Sequence, residues 1–146
     1  MRFVTWAAGS RNRASSEYGL GISKQCFALF PRLRDVHDQM TPELQERVRE
    51  VHPELCFYGM NNGTPLEHSK HTPEGINQRL HLLKAVGIQR PERQLALFTK
   101  QTATDDDVVD ALAAAWTARR IADGEAQRIP ELPEKDARGL RMEMWW

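Results

Sequence analysis

The stretch from Thr104 to Gly124 constrains this chain most, because its pattern predicts an amphipathic helix and little else. Thr104 followed three positions later by Asp107 is a capping box, in which hydroxyl and carboxylate satisfy backbone donors that a first helical turn leaves open. Val108, Val109, Leu112, Ala115 and Trp116 recur at helical spacing and predict a buried face as far as Ile121. Asp123-Gly124 ends the run, since glycine most easily takes the left-handed turn at a helix end. A helix with one bulky apolar face must be covered, so the rest of the chain has to supply a core.

The opposite arc of the same helix carries Asp106, Asp107 and Asp110, bordered by Ala111, Ala113 and Ala114. Small residues there let another backbone or a ligand approach the carboxylates. Two carboxylates about 4 Å apart repel by roughly 4 kcal/mol at an effective dielectric of about 20, so the cluster needs solvent, a proton or a cation. A divalent metal is one answer. The other is that acids in a first helical turn favour the macrodipole and sit in water.

With 146 residues, the chain has the length of one domain, enough to bury roughly 70% of its unfolded surface. Its 40% apolar and 27% charged residues are a globular balance and argue against a wholly disordered chain. Lys plus Arg and Asp plus Glu number 20 each, so no global field draws the chain to nucleic acid or anionic lipid, and any phosphate recognition must be local. Cys26 and Cys56 form no Cys-x-x-Cys and read as buried thiols in a reducing compartment, which predicts a cytoplasmic location. No stretch has the length of a membrane span, and the apolar run Phe3 to Ala8 is too short for a secretory signal. Residues 1–17 are expected to be an unstructured leader, with one domain over 18–146.

Between Ser23 and Met40, apolar residues at helical spacing are interrupted by Pro31, which predicts a kink or two abutting helices. Thr41-Pro42-Glu43 and Thr72-Pro73-Glu74 are helix starts, the second leading to a face of Ile76, Leu80, Leu83 and Val86 that Gly87 closes. Arg47 to His52 reads as a strand stopped by Pro53. Leu55 to Met60 is expected to continue extended into a hairpin turn at Asn61-Asn62-Gly63. Leu95 to Thr99 suggests a further strand. At the end of the chain Leu140, Met142, Met144 and Trp146 alternate with polar or outward residues in the period of a half-buried strand.

Glu50, His52 and, if the strand persisted past Pro53, Glu54 would project from one side of it, either as a second carboxylate contribution to a metal site or as an exposed edge face. His52, His68, His71 and Cys56 are zinc-binding types whose spacing fits no zinc pattern. Lys70, just ahead of a capped helix, either helps an anion settle on the helix N-terminus or is solvated.

Several ordered motifs carry a family resemblance: Gly21-Ile22-Ser23-Lys24-Gln25, Arg49-Glu50-Val51-His52-Pro53-Glu54, His68-Ser69-Lys70 with Thr72-Pro73-Glu74-Gly75, Asp106 to Trp116, and Asp136 to Glu143. Together, from about Tyr18 onward, they resemble the domain-of-unknown-function family of predicted nucleases with an RNase H-like fold. The resemblance implies an α/β fold with a mixed sheet flanked by helices, and Mg²⁺ or Mn²⁺ held by scattered acids that activate water against a phosphodiester. It implies Glu50, Asp107 and Asp110 as catalytic, Glu50, Asp106 and Asp110 as metal ligands, and His52 and Lys70 as substrate-binding.

The chain departs from the pattern at its start. Family members open with a strand carrying Asp-Gly and with central hairpin strands, whereas the only Asp-Gly here is Asp123-Gly124 at a helix end. A partial RNase H-like fold is therefore expected, from a truncated relative with phosphodiester hydrolysis lost or severely reduced, because two-metal hydrolysis depends on shared ligands. The alternatives are a non-catalytic module that pairs with a second copy or a partner chain through exposed sheet edges, or a nuclease acting on nucleic acid once a partner supplies the missing strand.

Overall fold

A computed structural model describes residues 23–146, so the leader segment 1–17 and the motif residues Gly21 and Ile22 lie outside the described residues. The chain divides into two compact units, one ending at Thr41 and the other running from Pro42 to Trp146.

The described part of the first unit is α1, Lys24–Gln39. The Ser23 hydroxyl accepts the Cys26 N–H at 3.0 Å and starts it. Pro31 lies inside one continuous helix, not between two. A proline removes a single ladder hydrogen bond, and the remaining turns carry the helix past it.

In the second unit a short 3₁₀ turn, Leu44–Glu46, precedes α2, Pro53–Met60. Then come α3, Pro73–Ala85, α4, Pro91–Leu95, and α5, Asp105–Asp123. Helices α2, α3 and α5 pack on one another, and α4 rests on α3 and α5. Their core is Cys56, Phe57 and Met60 from α2, Leu80 and Leu83 from α3, and Val109, Ala113 and Trp116 from α5, with Trp146 packed against it.

α5 follows its sequence pattern closely. Thr104 and Asp107 form the capping box, and Gly124 ends the helix at φ 73°. One residue differs: Ala115 is exposed, and Ala113 and Thr117 are buried in its place. The covered stripe is thus rotated toward the acidic arc, where small side chains admit α2.

Of the segments expected as extended, Leu55 to Met60 is helical, Leu95 to Thr99 is a helix end followed by turns, and Arg47 to His52 forms no strand, only a single bridge at Val51. Leu55 to Met60 belongs to α2, with Pro53 as its first residue, so Pro53 opens a helix and does not merely stop a strand. The turn at Asn61 to Gly63 has the expected positive φ, 53° at Asn62 and 76° at Gly63, but it leaves a helix and not a hairpin strand. Leu95 closes α4, and no strand follows it through Thr99.

The sheet is small. β1, Arg128–Ile129, pairs antiparallel with β2, Met144–Trp145, in the register Arg128 with Trp145 and Ile129 with Met144. Val51 bridges Trp145 in parallel, and the Trp145 N–H donates to the Glu50 carbonyl at 2.9 Å. The two segments expected to be separate free edges therefore pair with each other. The second unit is helix-rich with this small two-stranded antiparallel sheet and an isolated parallel bridge at Val51 beside it.

The tail strand is shorter than its alternation predicts because ionic contacts reverse the pattern ahead of it. Glu143 is buried and Met142 is exposed. Arg128 and Arg141 each donate to the Glu143 carboxylate at 3.0 Å, and Arg141 also reaches Glu46 at 2.6 Å. Burial is the largest single influence and pushes the Glu143 carboxyl up, but Arg141, Trp145 and Arg128 together outweigh it and hold the group below the usual carboxylate range. The Gln45 amide closes the link by exchanging hydrogen bonds with the Arg141 backbone, at 2.9 and 2.8 Å, which ties the 3₁₀ turn to the tail.

Candidate functional site

The loop between α2 and α3 carries Lys70 and is fastened to the start of α3. Thr72 caps that helix, its hydroxyl accepting the Gly75 N–H at 3.1 Å while donating to the Ser69 carbonyl at 2.9 Å. Gly75 lets the loop lie against the helix: a Cβ at that position would stand 1.8 Å from the Ser69 carbonyl oxygen. Arg79, one turn further on, donates from Nη1 to the carbonyls of His68 and Gly75, each at 3.1 Å. The motif from His68 to Arg79 is in this sense one device, a loop clamped to the first turns of α3.

Arg79 also closes the clamp onto α2. Its side chain is only 3% exposed, and Nη2 grips both Glu54 oxygens at 2.8 and 2.9 Å, with the guanidinium 5.4 Å from the Phe57 ring centre. A buried cation demands such a partner, since leaving it unpaired costs far more than an exposed pair contributes.

Held in this way, Lys70 reaches α5. Its Nζ lies 2.7 Å from Asp110 Oδ2 and 4.0 Å from Asp106 Oδ2, and all three side chains are a third exposed or less. Asp106 and Asp110 are one helical turn apart and share a face, so one ammonium serves both. The Asp110 hydrogen bond holds the Lys70 ammonium above the usual lysine range, against a smaller opposing effect of burial. His71 Nδ1 lies 3.6 Å from Asp106 Oδ2. Asp110 Oδ1 is buried and accepts no hydrogen bond.

The structure thus gathers Asp106, Asp110 and Lys70, with His71 at their edge, and leaves Asp107, Glu50 and His52 elsewhere. Asp107 turns back to the Thr104 backbone N–H at 2.9 Å and the Thr104 hydroxyl at 2.6 Å, and that hydroxyl bond holds its carboxyl below the usual range. The Glu50 side chain is exposed, its contribution to the fold being the carbonyl that receives Trp145. His52 is exposed at the head of α2 and accepts the Cys56 thiol at its carbonyl, 3.4 Å away. Lys70 points at the carboxylates of α5.

Cys56 belongs to the core. The Thr117 hydroxyl donates to its sulfur at 3.1 Å, and burial pushes the thiol up. Cys26, also expected to be buried, is exposed, and both cysteines are free. Among the described residues no three His, Cys, Asp or Glu side chains converge as a metal-binding group. Nor is any described helix long and apolar enough to cross a membrane.

Sequence reasoning missed the Glu54–Arg79 pair. The sequence joins Glu54 to the Glu50 and His52 face only if a strand persists past Pro53, and Arg79 sits among the apolar positions Ile76, Leu80 and Leu83 of α3. An arginine on the covered stripe of a helix is itself a signal that a buried acid or several carbonyls await it.

Comparison with curated proteins and with solved structures finds no match to this chain. A family model matches residues 4–135, a span that begins inside the segment 1–17. On that match, which covers most of its length, the chain belongs to the family described as protein of unknown function, DUF429.

Proposed function

We propose that this chain is a non-hydrolytic relative of RNase H-like, metal-dependent nucleases, in which the acids of the late helix hold the molecule together and do not run phosphodiester chemistry. The observation that carries this reading is the Lys70 ammonium 2.7 Å from Asp110 and 4.0 Å from Asp106. An acid pair that already carries its own cation is a poor fit to Mg²⁺ or Mn²⁺, which needs oxygen ligands free to coordinate. Asp107 is engaged by Thr104, and Glu50 is exposed on the bridge to Trp145.

The basic side chains support the same reading. Arg79 is committed to Glu54, and Arg128 and Arg141 to Glu143. Phosphate backbones are bound by lysines and arginines that can exchange counterions for phosphate, and these three are already neutralised. The RNase H-like architecture is part of the proposal. Its support is the sequence resemblance together with a small sheet, to which Val51 adds a parallel bridge, beside helices that cover one core.

The test is cleavage of labelled single- and double-stranded DNA and RNA by the purified chain in Mg²⁺ or Mn²⁺, beside Asp110→Asn. The expected result is no cleavage by wild type above the level of the variant. Cleavage that Asp110→Asn abolishes would overturn the proposal.

A further inference from the structure

We infer that α1 is a lipid-surface anchor, whose apolar stripe lies in the interface of an anionic bilayer with arginines at its two edges meeting the lipid phosphates. The stripe consists of Cys26, Leu29, Phe30, Leu33, Val36 and Met40, whose spacing of three and four residues places them on one arc of the helix. Leu29, Leu33 and Val36 are 50%, 57% and 60% exposed. A single exposed apolar side chain needs no explanation, but three in a row along one helix form an uncovered face. None of the late-helix acids takes part, so the anchor and the non-hydrolytic reading stand or fall separately.

The placement of charge decides what covers that face. At about 100° per residue, Arg32 borders the stripe on the Val36 side and Arg34 borders it on the Phe30 side, while Asp35 and Asp38 fall within the polar arc. Long basic side chains at the edge of an apolar face lay their stems along it and extend their charged ends to the headgroups, and the acids are left toward water. A second copy fits less well. Two such stripes laid together set an arginine edge against an arginine edge in either orientation, and like charges flanking a helix pair repel. Pro31 lies on the far side of the helix from the stripe, so the donor it lacks is missing from the polar face and the apolar row runs unbroken from Leu29 to Val36.

Length and charge fit a helix that lies on a membrane and does not cross it. With 16 residues α1 is about 24 Å long, short of the roughly 30 Å hydrocarbon core of a bilayer. Its three basic residues, Lys24, Arg32 and Arg34, stand against two acids, Asp35 and Asp38, on a chain whose formal net charge is zero. Attraction to an anionic surface is therefore local to α1 and acts within a Debye length of about 8 Å. Burial of the stripe between headgroups and acyl chains supplies the rest.

The experiment is flotation of the full chain with vesicles of phosphatidylcholine alone and of phosphatidylcholine mixed in equal parts with phosphatidylserine. Wild type is compared with Leu29→Ser/Leu33→Ser, Arg32→Gln and Leu97→Ser, the last removing a 71% exposed leucine of the second unit as a control. All four substituted side chains are exposed, so none of the changes removes a core contact. Wild type and Leu97→Ser are expected to bind the mixed vesicles at least about tenfold more tightly than the neutral ones. The double leucine variant is expected to lose at least about tenfold on the mixed vesicles, and Arg32→Gln about fivefold. Failure of wild type to float, equal binding to both vesicles, or binding that the leucine or arginine variant leaves unchanged overturns the anchor. Sedimentation of the vesicle-free chain supplies the remaining arm: a dimer that Leu29→Ser/Leu33→Ser dissolves would put a second copy on the stripe and overturn it as well.

Discussion

Gly75 shows how much of the site rests on one missing methyl group. The atom that a new Cβ would meet, 1.8 Å away, is the Ser69 carbonyl oxygen, and a backbone atom cannot rotate aside. At Gly59 the corresponding contact is Trp146 Cδ1 at 2.6 Å, a side-chain atom that has more room to give than a backbone carbonyl. Gly75→Ala is therefore expected to lose at least about 2 kcal/mol in urea unfolding, and more than Gly59→Ala, as forced overpacking does. Equal losses would show that the Lys70 loop yields easily. The sequence quotes Gly75 within a recognisable motif but cannot reveal its partner, because the close approach is tertiary. Lys70, Asp106 and Asp110 were legible as candidates. Their arrangement was not, since whether a lysine faces an anion or two carboxylates depends on how its loop is anchored. Arg79 does that anchoring from inside the core, and its place on the apolar stripe marks it as paired without naming its partners.

Among the elements, α5 was the most legible because its capping, apolar stripe and terminal glycine all agree. Its start yields a direct prediction. Thr104→Ala is expected to cost about 1 kcal/mol, the usual loss for a helix cap. The Asp107 carboxyl is held below its ordinary value chiefly by the Thr104 hydroxyl. A depressed folded pKa contributes stability above the unfolded value of about 4 that is lost as pH falls through the folded one. The difference in melting temperature between wild type and Asp107→Asn should accordingly be largest near neutrality and shrink below about pH 4. A difference that stays constant down to pH 2.5, or about that, would show that the capping contact does not depend on the charge. α2 was the element misread, for a physical reason. Leu55 to Met60 is a short apolar run whose periodicity does not separate a buried strand from a buried helix, and Pro53 fits both as a strand stop and as a first helical residue. What decides is the packing of Cys56, Phe57 and Met60 against α3 and α5.

At the scale of the whole second unit, ionic contacts and apolar packing divide the work of joining distant segments. Apolar side chains from α2, α3 and α5 make the core, while three ionic links bring its loops and tail to it. Glu54 to Arg79 joins α2 to α3, Lys70 to Asp110 joins the intervening loop to α5, and the Arg141 contacts join the tail to the 3₁₀ turn and to Glu143. The broad class, helices with some sheet, was readable from periodicity. The extent of the sheet was not, because the inward place in the tail goes to Glu143, a residue that alternation alone assigns to solvent. Lys70 is the internal counter-ion of the late-helix acids, closest to Asp110. A double-mutant cycle on folding stability with Lys70→Met, Asp110→Asn and both together tests it most directly. Since the pair is partly exposed, a favourable coupling of about 0.5 to 1 kcal/mol is predicted at neutral pH. The raised Lys70 value means that this coupling persists past the ordinary lysine range of about 10.4 and fades only as pH climbs through the folded pKa. Additive single losses, with no coupling at neutral pH, would contradict the account and return Asp106 and Asp110 to the status of free carboxylates.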